Sequence, residues 1–337
     1  MDIDRFIARN QPSWERLEAL SSRASGRRIR TLEAAEVDEL VGLYQRVSGH
    51  LAHARTAYRE PGLLARLTLL VASAHAAIHG RRARPRETLV RFLTASFPAA
   101  VWTCRRAILA AAACVFVPAL LVGTWVATSD AALDLAIPED AQEALLASEF
   151  EDYYSSAPAG AFASHVTINN IQVSVVAFAL GALVLPGVLI LAYNGLNLGI
   201  MGGLFVAEGQ AGTFFGLIAP HGLLELTAVV IAGGAGFRMG WAMLVPGDRT
   251  RGVALAEEGR RSVALVLGTV GAFVVAGLIE GFVTPAPLPT GVRVLVGVAV
   301  EALFLLWVIG RGRVAADAGF TGHPDDDRIA WDRWRQA

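Results

Sequence analysis

Long apolar runs constrain this chain most, because from residue 106 onward stretches of roughly 20 mostly apolar residues follow one another. A helix of that length crosses the ~30 Å hydrocarbon core of a bilayer. Of all residues 54% are hydrophobic and 18% are charged, whereas soluble domains are about a quarter charged. In lipid the backbone must satisfy its hydrogen bonds within the segment, which favours helices. The sequence therefore predicts an all-α, polytopic membrane helical bundle.

We place six apolar segments in this bundle, at 106–128, 170–193, 194–210, 218–240, 262–283 and 292–310. Pro186 predicts a kink in the second segment. The stretch 195–219 is short and glycine-rich, so that it either spans the membrane or re-enters it. Pro220 lacks an N–H and suits the first turn of a helix, which predicts a break in the fourth segment. One or two spans are therefore expected to be broken or re-entrant.

Charge predicts the domains and their orientation. Residues 1–104 carry apolar residues at helical spacing between many arginines, which predicts a cytoplasmic helical domain that ends in an interfacial amphipathic helix at 86–104. Residues 105–311 form the membrane domain, and 312–337 form a C-terminal tail. The loop 129–165 has eight acidic residues and no Arg or Lys. Arginines flank the other ends of the spans, so both termini are predicted to be cytoplasmic and the acidic loop external.

Polar residues inside the apolar segments are the candidate functional residues. His221 and Glu225 are four apart and share one helix face. An ionisable residue in a membrane span is costly and marks an ion path, a proton relay or a structural pair. We predict that a set of polar side chains converges on one intramembrane site: Asn169, Asn170, Asn194, His221, Glu225 and Glu280. The two asparagines Asn169 and Asn194 have the alternative role of capping helices at the membrane surface.

Glycine stripes predict where helices approach each other closely. The third segment has glycines at every fourth position, and the fourth segment has a similar stripe. The predicted packing residues are Gly195, Gly199, Gly203, Gly233, Gly236 and Gly240. Several such stripes exceed the evident needs of one monomer, and they predict a homodimer as the commonest closed form.

Enzyme chemistry is not predicted by the motifs. A zinc-peptidase helix needs H-E-x-x-H, whereas this chain has H-x-x-x-E with no second histidine in the spans. No nucleophile elbow or phosphate-binding loop is present, and the sequence contains no lysine. The arginines of the N-terminal region alternate with acids, which indicates a solvated surface instead of a nucleic-acid site. We predict no catalytic residues, metal or cofactor, and no nucleic-acid partner.

Four stretches resemble the stage II sporulation protein M family of bacterial integral membrane proteins. They are "VTINNIQVSVVAFALGALVLPGVLILAYNGLNLG" at 166–199, "APHGLLELTAVVIAGGAGFRMG" at 219–240, "LIEGFVTP" at 278–285, and an N-terminal pattern that includes "LVGLYQRVSGHLAHAR" at 40–55. The resemblance extends over nearly the whole chain, and the order of these stretches is more specific than any one of them.

The resemblance implies a non-enzymatic scaffold in a bacterial plasma membrane, linked to peptidoglycan remodelling. In sporulating bacteria the family member works with cell-wall hydrolases, a lytic transglycosylase and an amidase. Relatives in other bacteria often neighbour a MoxR-type ATPase and an RDD-domain protein. The six-span plan with both termini inside is also similar to ABC-2 permeases. This leaves a channel or transporter with a polar site at His221 and Glu225 as the alternative function.

Overall fold

The computed structural model describes residues 3–24, 32–58, 60–79, 85–146 and 159–334, with backbone alone for 79 and for 159–167. Throughout these ranges the secondary structure is helical, without a strand. This confirms the predicted all-α class. The chain divides into two compact units, residues 1–88 and 89–337, and each is treated separately. Residues 147–158 of the acidic loop lie outside the described ranges.

The first unit is built from three helices: α1 (Ile3–Ala24), α2 (Ala34–Ala57) and α3 (Pro61–His79). Each packs on the other two around buried Trp14, Leu40 and Leu67. The Trp14 indole Nε1 donates to His50 Nδ1 at 3.1 Å, which satisfies a buried polar group. Two ion pairs join α1 to α2 on the surface, Arg16–Glu39 and Arg23–Glu36, each at 2.6 Å.

The described helices that follow include several that are longer and more apolar. They are α4 (Pro85–Arg91), a π-helical turn (Phe92–Ser96), α5 (Phe97–Thr128), α6 (Asp130–Ala136), α7 (Glu139–Ala144), α8 (Ala159–Gly181), α9 (Leu185–Ala207), α10 (Ala211–Leu244), α11 (Arg251–Phe282), α12 (Thr290–Asp317) and α13 (Pro324–Trp334).

Six described helical segments are long and apolar enough to cross a membrane: 61–78, 85–128, 185–207, 211–244, 251–282 and 290–317. This supports the predicted polytopic bundle, although the set differs from the predicted one. The first segment is α3, which the sequence placed in the soluble domain. The second predicted span, 170–193, covers the end of α8 and the start of α9, and the described apolar part of α8 covers 168–181.

The boundary between the second and third spans lies earlier in the chain than the sequence predicts. α8 ends at Gly181, a turn occupies 182–184, and α9 starts at Leu185. Pro186 therefore lies in the first turn of α9 instead of kinking a longer helix, because its missing N–H has no partner to lose there. α9 then continues unbroken for 23 residues. The stretch 195–219 comprises the second half of α9, a short turn and the start of α10, and α9 as a whole is long and apolar enough to cross a membrane.

The predicted break at Pro220 is also wrong, because α10 runs continuously over 34 residues with Pro220 inside it. A proline inside a soluble helix costs ~3 kcal/mol, but membrane helices accommodate it when neighbours pack against the site. Here α12 presents Gly297, where an added Cβ would lie 2.2 Å from the Ala219 oxygen and 2.7 Å from the Pro220 Cα. Close helix packing therefore surrounds the proline.

Residues 89–104, predicted to end the N-terminal domain, belong to the second unit. Two backbone carbonyls of their π-helical turn accept hydrogen bonds from side chains of α12. The Trp307 Nε1 donates to the Leu93 oxygen at 3.1 Å, and the Arg311 Nε donates to the Thr94 oxygen at 3.3 Å. From Phe97 the chain continues as α5. Within the predicted tail, residues Pro324–Trp334 form α13, and Phe320 packs in a buried cluster with Ala95 and Ala99.

Glycines set the distance between α5 and α9. A Cβ added to Gly195 would lie 2.0 Å from the Val115 oxygen, and one on Gly199 would lie 2.5 Å from the Ala119 oxygen. Gly203 continues the series one turn later, at 2.8 Å from the Gly123 oxygen. Any side chain at these positions would push the two backbones apart.

The glycine stripe of α10 contacts three neighbouring elements. An added Cβ on Gly233 would lie 2.9 Å from Leu191 of α9, one on Gly236 2.3 Å from the Phe178 oxygen of α8, and one on Gly240 2.8 Å from the Ala182 oxygen. All six predicted packing glycines are thus occupied by contacts within one chain. Their number no longer argues for a homodimer.

Candidate functional site

The helix α10 is the central element of the second unit, because it contacts α5, α8, α9, α11 and α12. Its first half carries His221 and Glu225 one turn apart on one face, as the four-residue spacing predicts. Both side chains are buried, at 3% and 6% exposure. The pair lies toward the end of the bundle where α10 begins and α11 ends.

The C-terminal end of α11 brings a second carboxyl to this face. Glu280 is 1% exposed, and its Oε1 lies 3.7 Å from Nε2 of His221. One turn later, Thr284 Oγ1 lies 3.3 Å from Nδ1 of the same ring. If the threonine hydroxyl donates to Nδ1, the ring proton resides on Nε2 and faces Glu280. The imidazole therefore connects α10 to α11 through both of its nitrogens.

Two further helices complete the arrangement. The Asn170 side chain of α8 hydrogen-bonds the Glu225 carboxylate. Glu225 and Glu280 are close enough to interact electrostatically. From the first turn of α12, Arg293 donates through a terminal guanidinium nitrogen to the Thr284 carbonyl at 3.0 Å. We call Asn170, His221, Glu225, Glu280, Thr284 and Arg293 the polar cluster.

Several polar atoms of this cluster lack hydrogen-bond partners among the described residues. They are Oε1 of Glu225, Oε2 of Glu280 and Nε of Arg293. Buried polar groups in folded proteins are nearly always satisfied, so each exception needs an explanation. The two carboxyl oxygens belong to neighbouring side chains of one buried site.

Four of the six predicted polar-site residues come together in the polar cluster: Asn170, His221, Glu225 and Glu280. The other two do not. Asn169 is exposed, since it faces about 100° away from Asn170 around the helix axis. The Asn194 side chain donates to the Ile190 oxygen of its own helix at 2.8 Å. Asn169 is turned outward by the helix register, which sequence spacing leaves open, whereas Asn194 bonds within its own helix.

Other polar contacts along α10 were not predicted. Thr227 donates to Glu301 of α12 at 2.7 Å, near the middle of the bundle. At the far end, Glu258 of α11 accepts from Arg238 and from Arg261, each at 2.6 Å. The sequence does indicate the contact between Arg238 and Glu258, because an arginine late in an apolar segment needs an acidic partner.

The middle of the bundle separates the polar cluster from the Arg238–Glu258 pair. Buried apolar side chains from five helices form one core cluster there: Ala111, Val115, Ala177, Leu191, Ala228, Val229, Val230, Ala272, Phe273 and Ala276. This layer is closely packed at the glycines of α10 and α9, because these glycines let the neighbouring helices approach closely. The described polar side chains near this level are Thr227 with Glu301 and the buried hydroxyl groups of Ser174 and Thr269.

A cavity of about 690 Å³ lies between α5, α9 and α10. It is lined by apolar residues such as Phe116, Leu198 and Leu223, with two threonine hydroxyls at one end, Thr124 and Thr128. Gly222 lines it, whereas the adjacent His221 belongs to the polar cluster. The cavity is therefore apolar and distinct from the polar cluster.

The described residues contain no group of three His, Cys, Asp or Glu side chains arranged to hold a metal ion. The polar cluster offers carboxyl, amide and hydroxyl oxygens and one imidazole. Such a set binds protons or cations and joins helices by hydrogen bonds.

Comparisons with known proteins agree with the membrane architecture. The family model for stage II sporulation protein M matches residues 112–285, a range that contains α8 to α11 and most of the polar cluster. A model described as a domain of unknown function (DUF8413) matches residues 4–80, which correspond to α1 to α3. Neither a curated protein nor a solved structure matches the chain.

Proposed function

The chain belongs to the stage II sporulation protein M family, and from this premise we propose that it is a non-enzymatic integral membrane scaffold linked to remodelling of the cell envelope. In this proposal it resides in a bacterial plasma membrane with both termini in the cytoplasm. Its partners are peptidoglycan hydrolases on the outer side. A MoxR-type ATPase and an RDD-domain protein are the candidates on the inner side.

The observation that carries the proposal is the close-packed apolar layer in the middle of the bundle. Gly195 and Gly199 bring α9 against the backbone of α5, and Gly236 brings α10 against α8. Tightly packed interfaces have little freedom to rearrange. A bundle with closely packed helix contacts suits a platform that holds partners better than it suits a conduit.

Two surfaces are suited to partners. The acidic helices α6 and α7 carry Asp130, Asp134, Glu139, Asp140 and Glu143, and their apolar sides pack on α5, α9 and α10 through Leu133 and Ile137. This fixes an acidic surface at one end of the bundle. At the N-terminus the separate three-helix unit provides a second surface of mixed charge.

A homodimer also belongs to the proposal, but it depends only on the general prevalence of twofold symmetry among homo-oligomers. The exposed apolar faces of α5 and α12, with Leu120 and Leu306 at their surfaces, suit either lipid or a second copy. Native mass spectrometry of the protein in mild detergent distinguishes a monomer from a dimer.

The scaffold role is tested in the native host by neutralising the acidic surface. We expect the variant with Asp130→Asn, Asp134→Asn and Glu139→Gln to reach the membrane normally but to retain less of its peptidoglycan hydrolase there. The matched control is Arg249→Gln with Arg251→Gln, which changes charge at the other end of the bundle. Equal retention of hydrolase in the charge variant, the control and a deletion strain would contradict the proposal.

A channel or transporter is the second candidate. The observation that favours it is the series of carboxyl groups along α10, with Glu225 and Glu280 at one end, Glu301 near the middle and Glu258 at the other end. Transport would require the apolar layer to open between them. Ion flux in reconstituted liposomes separates the two candidates.

A further inference from the structure

The two unsatisfied carboxyl oxygens of the polar cluster require a partner of a specific kind. Glu280 is 1% exposed, its Oε2 has no partner among the described residues, and its Oε1 is 3.7 Å from the His221 ring. That distance is longer than a hydrogen bond. Glu225 is 6% exposed, and its Oε1 likewise has no hydrogen-bond partner among the described residues. Four helices thus enclose two carboxyls, each with one oxygen that has no hydrogen-bond donor among the described residues.

The charged groups around these carboxyls indicate which charge a bound partner must carry. The titratable and charged groups of the cluster are His221 and Glu225 on α10, Glu280 on α11 and Arg293 on α12, whereas α8 contributes the neutral Asn170. With a neutral imidazole, two carboxylates and one guanidinium leave one negative charge. A buried uncompensated charge is strongly unfavourable. One positive charge restores neutrality, and two would exceed it.

We propose that the polar cluster is a binding site for one monovalent cation, a proton or a sodium ion, held between Glu225 and Glu280. Oxygen ligands are available from the two carboxyls, from the Asn170 amide and from the Thr284 hydroxyl. A proton would occupy the same position by joining the two carboxyls through a hydrogen bond. This site does not depend on the scaffold role.

The cluster also indicates what the bound cation does. Glu225 belongs to α10 and Glu280 to α11, so a cation between them attracts both helices, while its loss leaves two like charges buried in one cluster. His221 and Thr284 connect the same two helices. Occupancy of the site therefore stabilises the end of the bundle near the acidic helices α6 and α7.

The test measures thermal unfolding of the full-length protein in detergent, with sodium chloride or choline chloride at equal ionic strength, between pH 5 and pH 9. If sodium is the ligand, the Tm rises saturably with sodium above choline by on the order of 5 °C. If a proton is the ligand, the Tm rises toward low pH equally in both salts. Sodium added at alkaline pH to weakly buffered protein releases protons only if both compete for one site.

Two isosteric variants assign the effect to the cluster. Glu225→Gln and Glu280→Gln each remove one charge and should abolish the dependence on the cation. Glu301→Gln is the matched control, because this membrane glutamate lies outside the cluster and bonds Thr227. A wild-type Tm that depends on neither sodium nor pH overturns the proposal without any variant. So does a dependence that survives in both cluster variants.

Discussion

The Nε2 atom of His221 lies 3.7 Å from Oε1 of Glu280, and this contact joins α10 to the end of α11 inside the membrane unit. Both side chains are almost fully buried. Since Thr284 approaches the other ring nitrogen, the imidazole is held from two sides. The contact ties the central helix to its most extensive neighbour.

Removing one member of this pair should cost more than removing both. His221→Leu leaves the buried Glu280 carboxyl without its polar neighbour, which should cost about 1–3 kcal/mol. The double variant His221→Leu with Glu280→Leu replaces both groups by apolar ones and should recover much of that loss. Thermal unfolding of the four proteins in detergent measures the coupling. Additive losses would show that the two side chains do not interact.

The two asparagines Asn170 and Asn194 provide a matched comparison. Asn170→Ala removes a hydrogen bond to the buried Glu225 carboxylate, which should cost about 1–3 kcal/mol. Within the described part of the chain, Asn194 bonds a carbonyl of its own helix, and Asn194→Ala should cost less than about 1 kcal/mol. The difference in Tm between the two variants checks this order. Equal losses would mean that Asn170 does not support Glu225.

The effect of a Gly→Ala substitution on stability should depend on the space around the glycine. Gly199→Ala places a methyl group 2.5 Å from the Ala119 oxygen, and such overpacking costs about 1–3 kcal/mol or more. Gly310 of α12 has nothing within 4 Å of an added Cβ. Gly310→Ala should therefore be neutral or stabilising by up to ~1 kcal/mol. The yield and Tm of the folded proteins report the difference, and a well-folded Gly199→Ala variant would argue against the α5–α9 contact.

The first unit should lose stability in acid. The Arg23 guanidinium lowers the pKa of Glu36 below its ordinary value of 4.5, and Arg16 does the same for the pKa of Glu39. A lowered folded-state pKa gives stability that is complete above the unfolded value and is lost as the pH falls through the folded value. Protection of α1 and α2 amides from hydrogen exchange, corrected for the intrinsic rate, should decline below about pH 4.5.

Arg23→Gln with Arg16→Gln should flatten this pH dependence, because the carboxyls then titrate nearly as in the unfolded chain. Salt at 1 M should weaken it in the wild type, since both pairs are exposed. A pH profile that is unchanged by the two substitutions would assign the acid sensitivity to other groups.

Local spacing predicted part of the site, and helix pairing decided the rest. The four-residue interval between His221 and Glu225 placed both on one face, as the structure shows. The contact with Glu280 depends on the relative register of two helices, which no local pattern encodes. Asn169 and Asn170 were equivalent in sequence, but one turns outward and the other meets Glu225. A rotation of α8 by one residue would exchange them.

The breaks predicted at proline and glycine failed for a related reason. Pro220 reads locally as a helix start, but Gly297 of α12 packs against it within a continuous helix. In the sequence alone the glycines of 195–203 indicate a weak helix, but in the structure they form the surface through which α9 packs on α5. Propensity describes a segment alone, whereas in a bundle the neighbouring helix decides what is tolerated.

The central claim is that the bundle is a closed platform whose polar cluster holds a cation without conducting it. The most direct measurement is proton and sodium flux in liposomes that contain the full-length protein, with an added ionophore as positive control. We predict flux equal to that of protein-free liposomes. Flux above this background that disappears in Glu225→Gln and Glu280→Gln, while both variants remain folded, would contradict the claim.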